Sequence, residues 1–171
     1  MDKVEYAIEN FKNMQELIRF ADQKAGAIVI VYGFIITSTY ESSKGLILIA
    51  PHSSGIIGLL TFAAGLGLIT IILHQLHFIL CCILKPKLAN NYKRGDSCLY
   101  YFEHVAAQDK AEVLSCFVQL DENTMLSDVA SQIYEVSNTL TTKMKMVSKA
   151  IYGLCWATAL TVLYVILGKL I

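Results

Sequence analysis

The chain has 171 residues, with 14 Lys and Arg against 14 Asp and Glu, 55 % apolar residues and only 16 % charged ones, and its mean hydropathy is +0.52. A water-soluble domain carries about 25 % charged residues, so the composition argues for membrane segments, and the length suits one domain rather than two. The five cysteines, Cys81, Cys82, Cys98, Cys116 and Cys155, show neither a Cys-x-x-Cys spacing nor an even disulfide framework, and they read as reduced thiols.

Residues 1–24 predict an amphipathic helix. Val4, Ile8, Phe11, Leu17, Ile18 and Ala21 recur at helical spacing, and Asp2, Glu5, Glu9, Lys12, Glu16 and Arg19 occupy the other face. The stretch is charged throughout and lacks the apolar core of a secretory signal peptide, so internal spans are expected to place the chain in a membrane. The first span is 25–40, which carries no charge and is a little short of the ~20 residues a bilayer requires. Arg19 and Lys24 can snorkel at one end of it, and Tyr40 suits the far interface. Residues 41–54, with Pro51 and several serines, read as a short loop between helices.

The second span, 55–84, contains no Lys, Arg, Asp or Glu. As a helix it is ~45 Å long against a hydrocarbon core of ~30 Å, so its last turns are expected to emerge around His74, Gln75, His77 and Cys81. His74, His77 and Cys81 share a face in a spacing that a metal can use. No carboxylate accompanies them, and a helix–helix contact near the interface is the preferred reading. Gly58, Gly65 and Gly67, with Ala63 and Ala64, offer a small-residue surface for close packing.

Residues 85–149 form the one sizeable water-soluble part. It opens with Pro86 and four cations, Lys85, Lys87, Lys93 and Arg94. A helix is expected from Ser97, and Asp109 with Glu112 resembles a capping box that starts another through Leu120. A polar turn follows at 121–124. From Met125, Leu126, Val129, Ile133, Val136 and Leu140 alternate at spacings of three and four, and the stripe passes through Met144 and Val147 into the last span, 150–168. An a/d-like stripe seeks a partner helix, either the N-terminal arm or the same helix of another subunit. Lys and Arg concentrate before Ala25 and between Lys85 and Lys149. The positive-inside rule therefore places the arm and 85–149 in the cytosol, the N-terminus inside and the C-terminus outside.

The expectation is an all-α membrane protein with three transmembrane helices, an N-terminal amphipathic cytosolic helix and a helical cytosolic module between spans 2 and 3. No phosphate loop, nucleophile elbow or His-Glu-x-x-His is present. The chain does not read as an enzyme, no metal or cofactor is implied, and the few interfacial cations suit lipid headgroups rather than nucleic acid.

Three stretches carry a resemblance. They are Arg19-Phe20-Ala21-Asp22-Gln23-Lys24-Ala25 running into a span, Tyr100-Tyr101-Phe102-Glu103-His104-Val105-Ala106, and Gln132-Ile133-Tyr134-Glu135-Val136-Ser137 with Leu140 and Lys143 ahead of the last span. In order, spacing and membrane placement the chain resembles the Pycsar effector transmembrane family of bacterial antiphage defence. The resemblance implies an inner-membrane effector, paired with a pyrimidine nucleotide cyclase, that cyclic UMP or cyclic CMP activates. It would then oligomerise and impair the membrane, and the infected cell would stop growing or die.

Under that reading Lys85, Lys87, Lys93 and Arg94 hold the phosphate, Tyr100, Tyr101 or Phe102 stack on the base, and His104 adds a hydrogen bond. Arg19, Asp22 and Lys24 would couple ligand to membrane, and Leu126, Val129, Ile133, Val136 and Leu140 would mediate self-association. The alternative for these residues is plainer, with snorkelling cations, core aromatics and an Asp22–Arg19 pair. The rival for the whole chain is a constitutive helical channel or scaffold without a nucleotide sensor. A membrane enzyme or transporter subunit would require ionisable residues deep in the spans, and none lies at a span centre.

Overall fold

The computed structural model describes residues 2–42, 55–85, 105–106 and 108–170, and among them every regular element is helical. Helix α1 is Lys3–Ser42, α2 is Gly55–Phe78 with a π-helical turn Ile79–Ile83 following it directly, α3 is Lys110–Val118 and α4 is Glu122–Gly168. Three stretches are long and apolar enough to cross a membrane: Lys3–Ser42, Gly55–Ile83 and Glu122–Gly168. The amphipathic arm is thus no element of its own. No proline interrupts residues 3–42, so arm and first span share one 40-residue helix, ~60 Å long at the α-helical rise.

Five threonine hydroxyls inside these apolar helices are satisfied locally. Thr37, Thr61, Thr70, Thr158 and Thr161 each donate to the carbonyl four residues earlier, at 2.8–3.0 Å. That bond lets a threonine sit in hydrocarbon without an interhelical partner. At the end of the second span the Leu84 N–H donates to the Ile79 carbonyl at 3.0 Å. This wider i→i+5 ring defines the π turn, where a plain helix was expected, and Ile79 and Ile83 are both wholly buried.

Asp109 caps α3 as its sequence suggests, accepting from the Lys110 N–H at 2.9 Å. The Asp121 carboxylate accepts from the Thr124 N–H at 3.1 Å, which starts α4 at Glu122 and converts the expected polar turn into a helix N-terminus.

The chain separates into two compact units, Met1–Phe20 with Pro86–Lys143, and Ala21–Lys85 with Met144–Ile171. In the first, Val4 and Ala7 of α1 and Val129, Gln132 and Lys143 of α4 are buried. Ser137 Oγ lies 3.2 Å from Met14 Sδ, so α4 meets the N-terminal arm within one chain. Of the expected arm face, Leu17 is exposed. Of the expected α4 stripe, Val129 is buried, whereas Leu126, Ile133, Val136 and Leu140 are half-buried. Gln132 and Lys143 fill the buried positions that the apolar pattern skips.

The second unit has a continuous core. Ala21, Ala25, Ile28 and Tyr32 of α1 join Leu68, Ile72, Ile79 and Ile83, and Val147, Ala150 and Ala157 of α4. Four of these are alanines with no exposed surface. In a bilayer, where lipid competes equally for apolar side chains, such small residues let helix backbones approach and gain dispersion contacts. Gly65 serves the same end, since a Cβ there would stand 3.0 Å from the Tyr164 ring. Gly67 would meet nothing within 4 Å, so it is not part of the packed surface.

Candidate functional site

Of the predicted ligand set, Lys87, Lys93, Arg94, Tyr100, Tyr101, Phe102 and His104 lie outside the described residues. Lys85 is exposed, directly after the end of the π turn. Among the coupling residues, Arg19 and Lys24 are exposed and Asp22 is half-buried. They bracket the Phe20–Ala21 step at which α1 passes from one unit to the other.

The first unit holds a cavity of about 490 Å³ that, among the described residues, Tyr6, Glu9, Asn10, Lys12, Asn13 and Glu16 line. Small-molecule sites run from about 300 to 1,000 Å³, so the volume is adequate for a mononucleotide. The six residues fall on one side of α1 because 6, 9, 10, 12, 13 and 16 are linked by three- and four-residue steps.

Their chemistry is mixed and polar. Two carboxamides offer paired donors and acceptors, the phenol offers a flat face, Lys12 is the single cation, and Glu9 and Glu16 accept from hydroxyls or amines. Sequence reasoning missed this set because it weighs Glu9, Lys12 and Glu16 as a solvated charged face. The usable signal is the pair of asparagines, poor helix formers, on the same side as Tyr6.

In the membrane unit three buried polar groups lack a hydrogen-bond partner, the Tyr32 hydroxyl, the Thr39 hydroxyl and the Gln75 side-chain oxygen. Tyr32 has no exposed surface. A Cβ built at Gly153 would collide with the Gln75 carboxamide, so that glycine provides the seat on α4 for the side chain. A buried, unbonded hydroxyl or amide oxygen costs about 1–3 kcal/mol. His77 Nδ1 and Cys81 Sγ are 3.6 Å apart on the exposed side of the second span. No group of three metal-ligating side chains forms among the described residues.

The family model described as the Pycsar effector protein domain matches residues 6–168. No curated protein and no solved structure matches the chain.

Proposed function

Because the chain belongs to the Pycsar effector family, whose members are antiphage membrane effectors rather than known catalytic domains, we propose that it responds to a cyclic pyrimidine nucleotide, cyclic UMP or cyclic CMP. The observation that carries this reading is the extent of the match. Residues 6–168 take in the polar cavity on α1 and nearly all of the three candidate spans, which supports a reading in which sensing and membrane output belong to one polypeptide.

The ligand is a flat base on a ribose with one negative charge. Asn10 and Asn13 offer hydrogen bonds to the base edge, Tyr6 a stacking face and Lys12 a cation for the phosphate, and Lys87, Lys93 and Arg94 are further cations that the family resemblance implies. Tyr100, Tyr101, Phe102 and His104 complete the set that the family resemblance implies. The arm and the Pro86–Lys143 segment face the cytosol, where a partner cyclase makes the nucleotide, and the C-terminus is periplasmic.

Ligand binding shifts an equilibrium only by its differential affinity for two states. An arrangement of the spans that gives the Tyr32 hydroxyl and the Gln75 oxygen partners is the second state this reading requires. Transmission passes along α1 through Arg19, Asp22 and Lys24. Leu126, Ile133, Val136 and Leu140, half-buried in the single chain, then supply contacts between subunits as the spans reorder, and the inner membrane is impaired.

The test is calorimetric titration of the detergent-solubilised protein with cyclic UMP, cyclic CMP and cyclic AMP. One pyrimidine nucleotide should bind with micromolar or tighter affinity, and the same one should be required for growth arrest. Growth arrest on expression with no cyclase and no nucleotide would instead favour a constitutive channel.

A further inference from the structure

The second span ends in a pair of metal-type donors. His77 and Cys81 are both exposed, and His77 Nδ1 stands 3.6 Å from Cys81 Sγ. Four residues separate them, the step that puts two side chains on one face of a helix. A regular α-helix turns about 100° per residue, so over four residues it overshoots a full turn by about 40°. Cys81 lies inside the π turn Ile79–Ile83, whose hydrogen bonds close on the fifth residue and which therefore rotates less per residue. The overshoot shrinks, and Cys81 lies more directly over His77.

The separation of the two donors has a chemical meaning. A tetrahedral zinc ion holds sulfur at about 2.3 Å and imidazole nitrogen at about 2.0–2.1 Å, which sets those two donors about 3.6 Å apart. The hydrogen bond between thiol and imidazole spans the same distance. An ion can thus replace the shared proton, which leaves to solvent, while neither side chain moves. Preorganisation of this kind removes much of the ordering cost of binding. The donor types select as well, since thiolate with imidazole suits Zn²⁺, whereas Mg²⁺ and Ca²⁺ take oxygen ligands. Water reaches this depth. Exposed Lys85, the first Lys, Arg, Asp or Glu after Gly55, follows Cys81 by four residues, about 6 Å along the axis.

We propose that His77 Nδ1 and Cys81 Sγ form a two-donor site for a thiophilic, tetrahedral divalent cation of the Zn²⁺ class at the Lys85 end of the second span. Among the described residues no third donor joins them, so the remaining coordination positions are open to water, as in zinc sites that exchange a ligand. The bound ion ties the last turn of α2 to the π turn. It thereby favours the bond from the Leu84 N–H to the Ile79 carbonyl that defines that turn. The inference is independent of which nucleotide the protein binds.

The test is titration of untagged, reduced full-length protein in detergent with Co²⁺, followed by competition with Zn²⁺. Thiolate bound to Co²⁺ gives a sulfur-to-metal charge-transfer band, and a tetrahedral site gives intense visible bands. Both should appear at one ion per chain, and Zn²⁺ should abolish them. His77→Ala and Cys81→Ser should each weaken binding about tenfold or more, at least the cost of losing an outer-shell partner. Cys82→Ser, which alters the neighbouring thiol outside the pair, should leave affinity unchanged. All three variants should keep the wild-type circular dichroism. Zn²⁺ should also slow exchange of the Leu84 amide in wild type and not in Cys81→Ser. A wild-type protein that gives no thiolate band overturns the proposal. So does wild-type affinity in His77→Ala or Cys81→Ser, or loss of the band in Cys82→Ser.

Discussion

The Gln75 carboxamide rests against the backbone of Gly153, at a position where any side chain would displace it. Gly153 is part of the last span, and its hydrogen is what lets α2 and α4 bring a polar side chain between them. The Gln75 oxygen gains no hydrogen bond there.

Substituting Gly153 grades that contact. Gly153→Ala should be tolerated, because the colliding atoms are the far end of a flexible side chain and alanine gains about 1 kcal/mol of helix propensity. Gly153→Leu should separate the helices and destabilise by about 1–3 kcal/mol, as overpacking does. Thermal unfolding in detergent checks both. A Leu variant as stable as wild type would show that Gln75 has another place to go.

Tyr32 gives the complementary measurement. Tyr32→Phe keeps the ring and removes an unbonded hydroxyl, so it should leave stability unchanged or raise it by about 1 kcal/mol. Tyr32→Ala should cost about 3–5 kcal/mol through the cavity it opens. If the buried hydroxyl drives rearrangement of the spans, Tyr32→Phe also raises the nucleotide concentration needed for growth arrest. A lowered melting temperature for Tyr32→Phe would mean that the hydroxyl has a partner after all.

The α1 cavity predicts a binding phenotype without loss of stability. Asn10→Ala and Asn13→Ala, both on the cavity side of α1, should each weaken the cyclic pyrimidine nucleotide by about tenfold, the effect of one well-made hydrogen bond of ~1.4 kcal/mol. Melting temperatures should rise slightly, since alanine is the better helix former. Equal affinities in wild type and both variants would leave the nucleotide elsewhere in the first unit.

Asp121 sets a pH dependence at the start of α4. Hydrogen bonds from Thr124, first the side chain and then the backbone, hold its carboxyl below the usual carboxylate range. A carboxylate depressed in the folded state contributes stability that is complete above its unfolded value of about 4 and fades as pH falls through the lower folded value. Exchange of the Thr124 amide should therefore speed up in acid below that value, with little change between pH 5 and 8. Asp121→Asn should retain most of the protection and lose its pH dependence, whereas Asp121→Ala should lose both. Protection in Asp121→Ala equal to wild type would remove the cap.

Much of the architecture is legible in the chain itself. Sixteen uncharged residues after Lys24, thirty from Gly55 to Leu84, and an unbroken stretch into the last span specify three membrane helices. Hydrocarbon tolerates neither charge nor unpaired backbone, and that constraint acts on sequence directly. The cap at Asp109 is equally readable, because capping is a local bond between neighbours.

The buried stripe of α4 is not. Its apolar members Val129 and Val147 are buried as the pattern suggests, but Ile133 and Leu140 are only half-buried, and Gln132 and Lys143 are buried beside them, each with an interaction partner. Whether a polar residue is buried depends on what another helix offers opposite it, and that is a property of the packed pair.

What the sequence determined by itself is the helical class, the spans and the caps, since each follows from one segment meeting its solvent. What only the tertiary structure decided is the Gln75–Gly153 seat, the unbonded Tyr32 hydroxyl and the open side of α3. Each depends on the distance between residues far apart in the chain, and on which of several compatible faces meets a partner. Periodicity constrains such faces but does not choose among them.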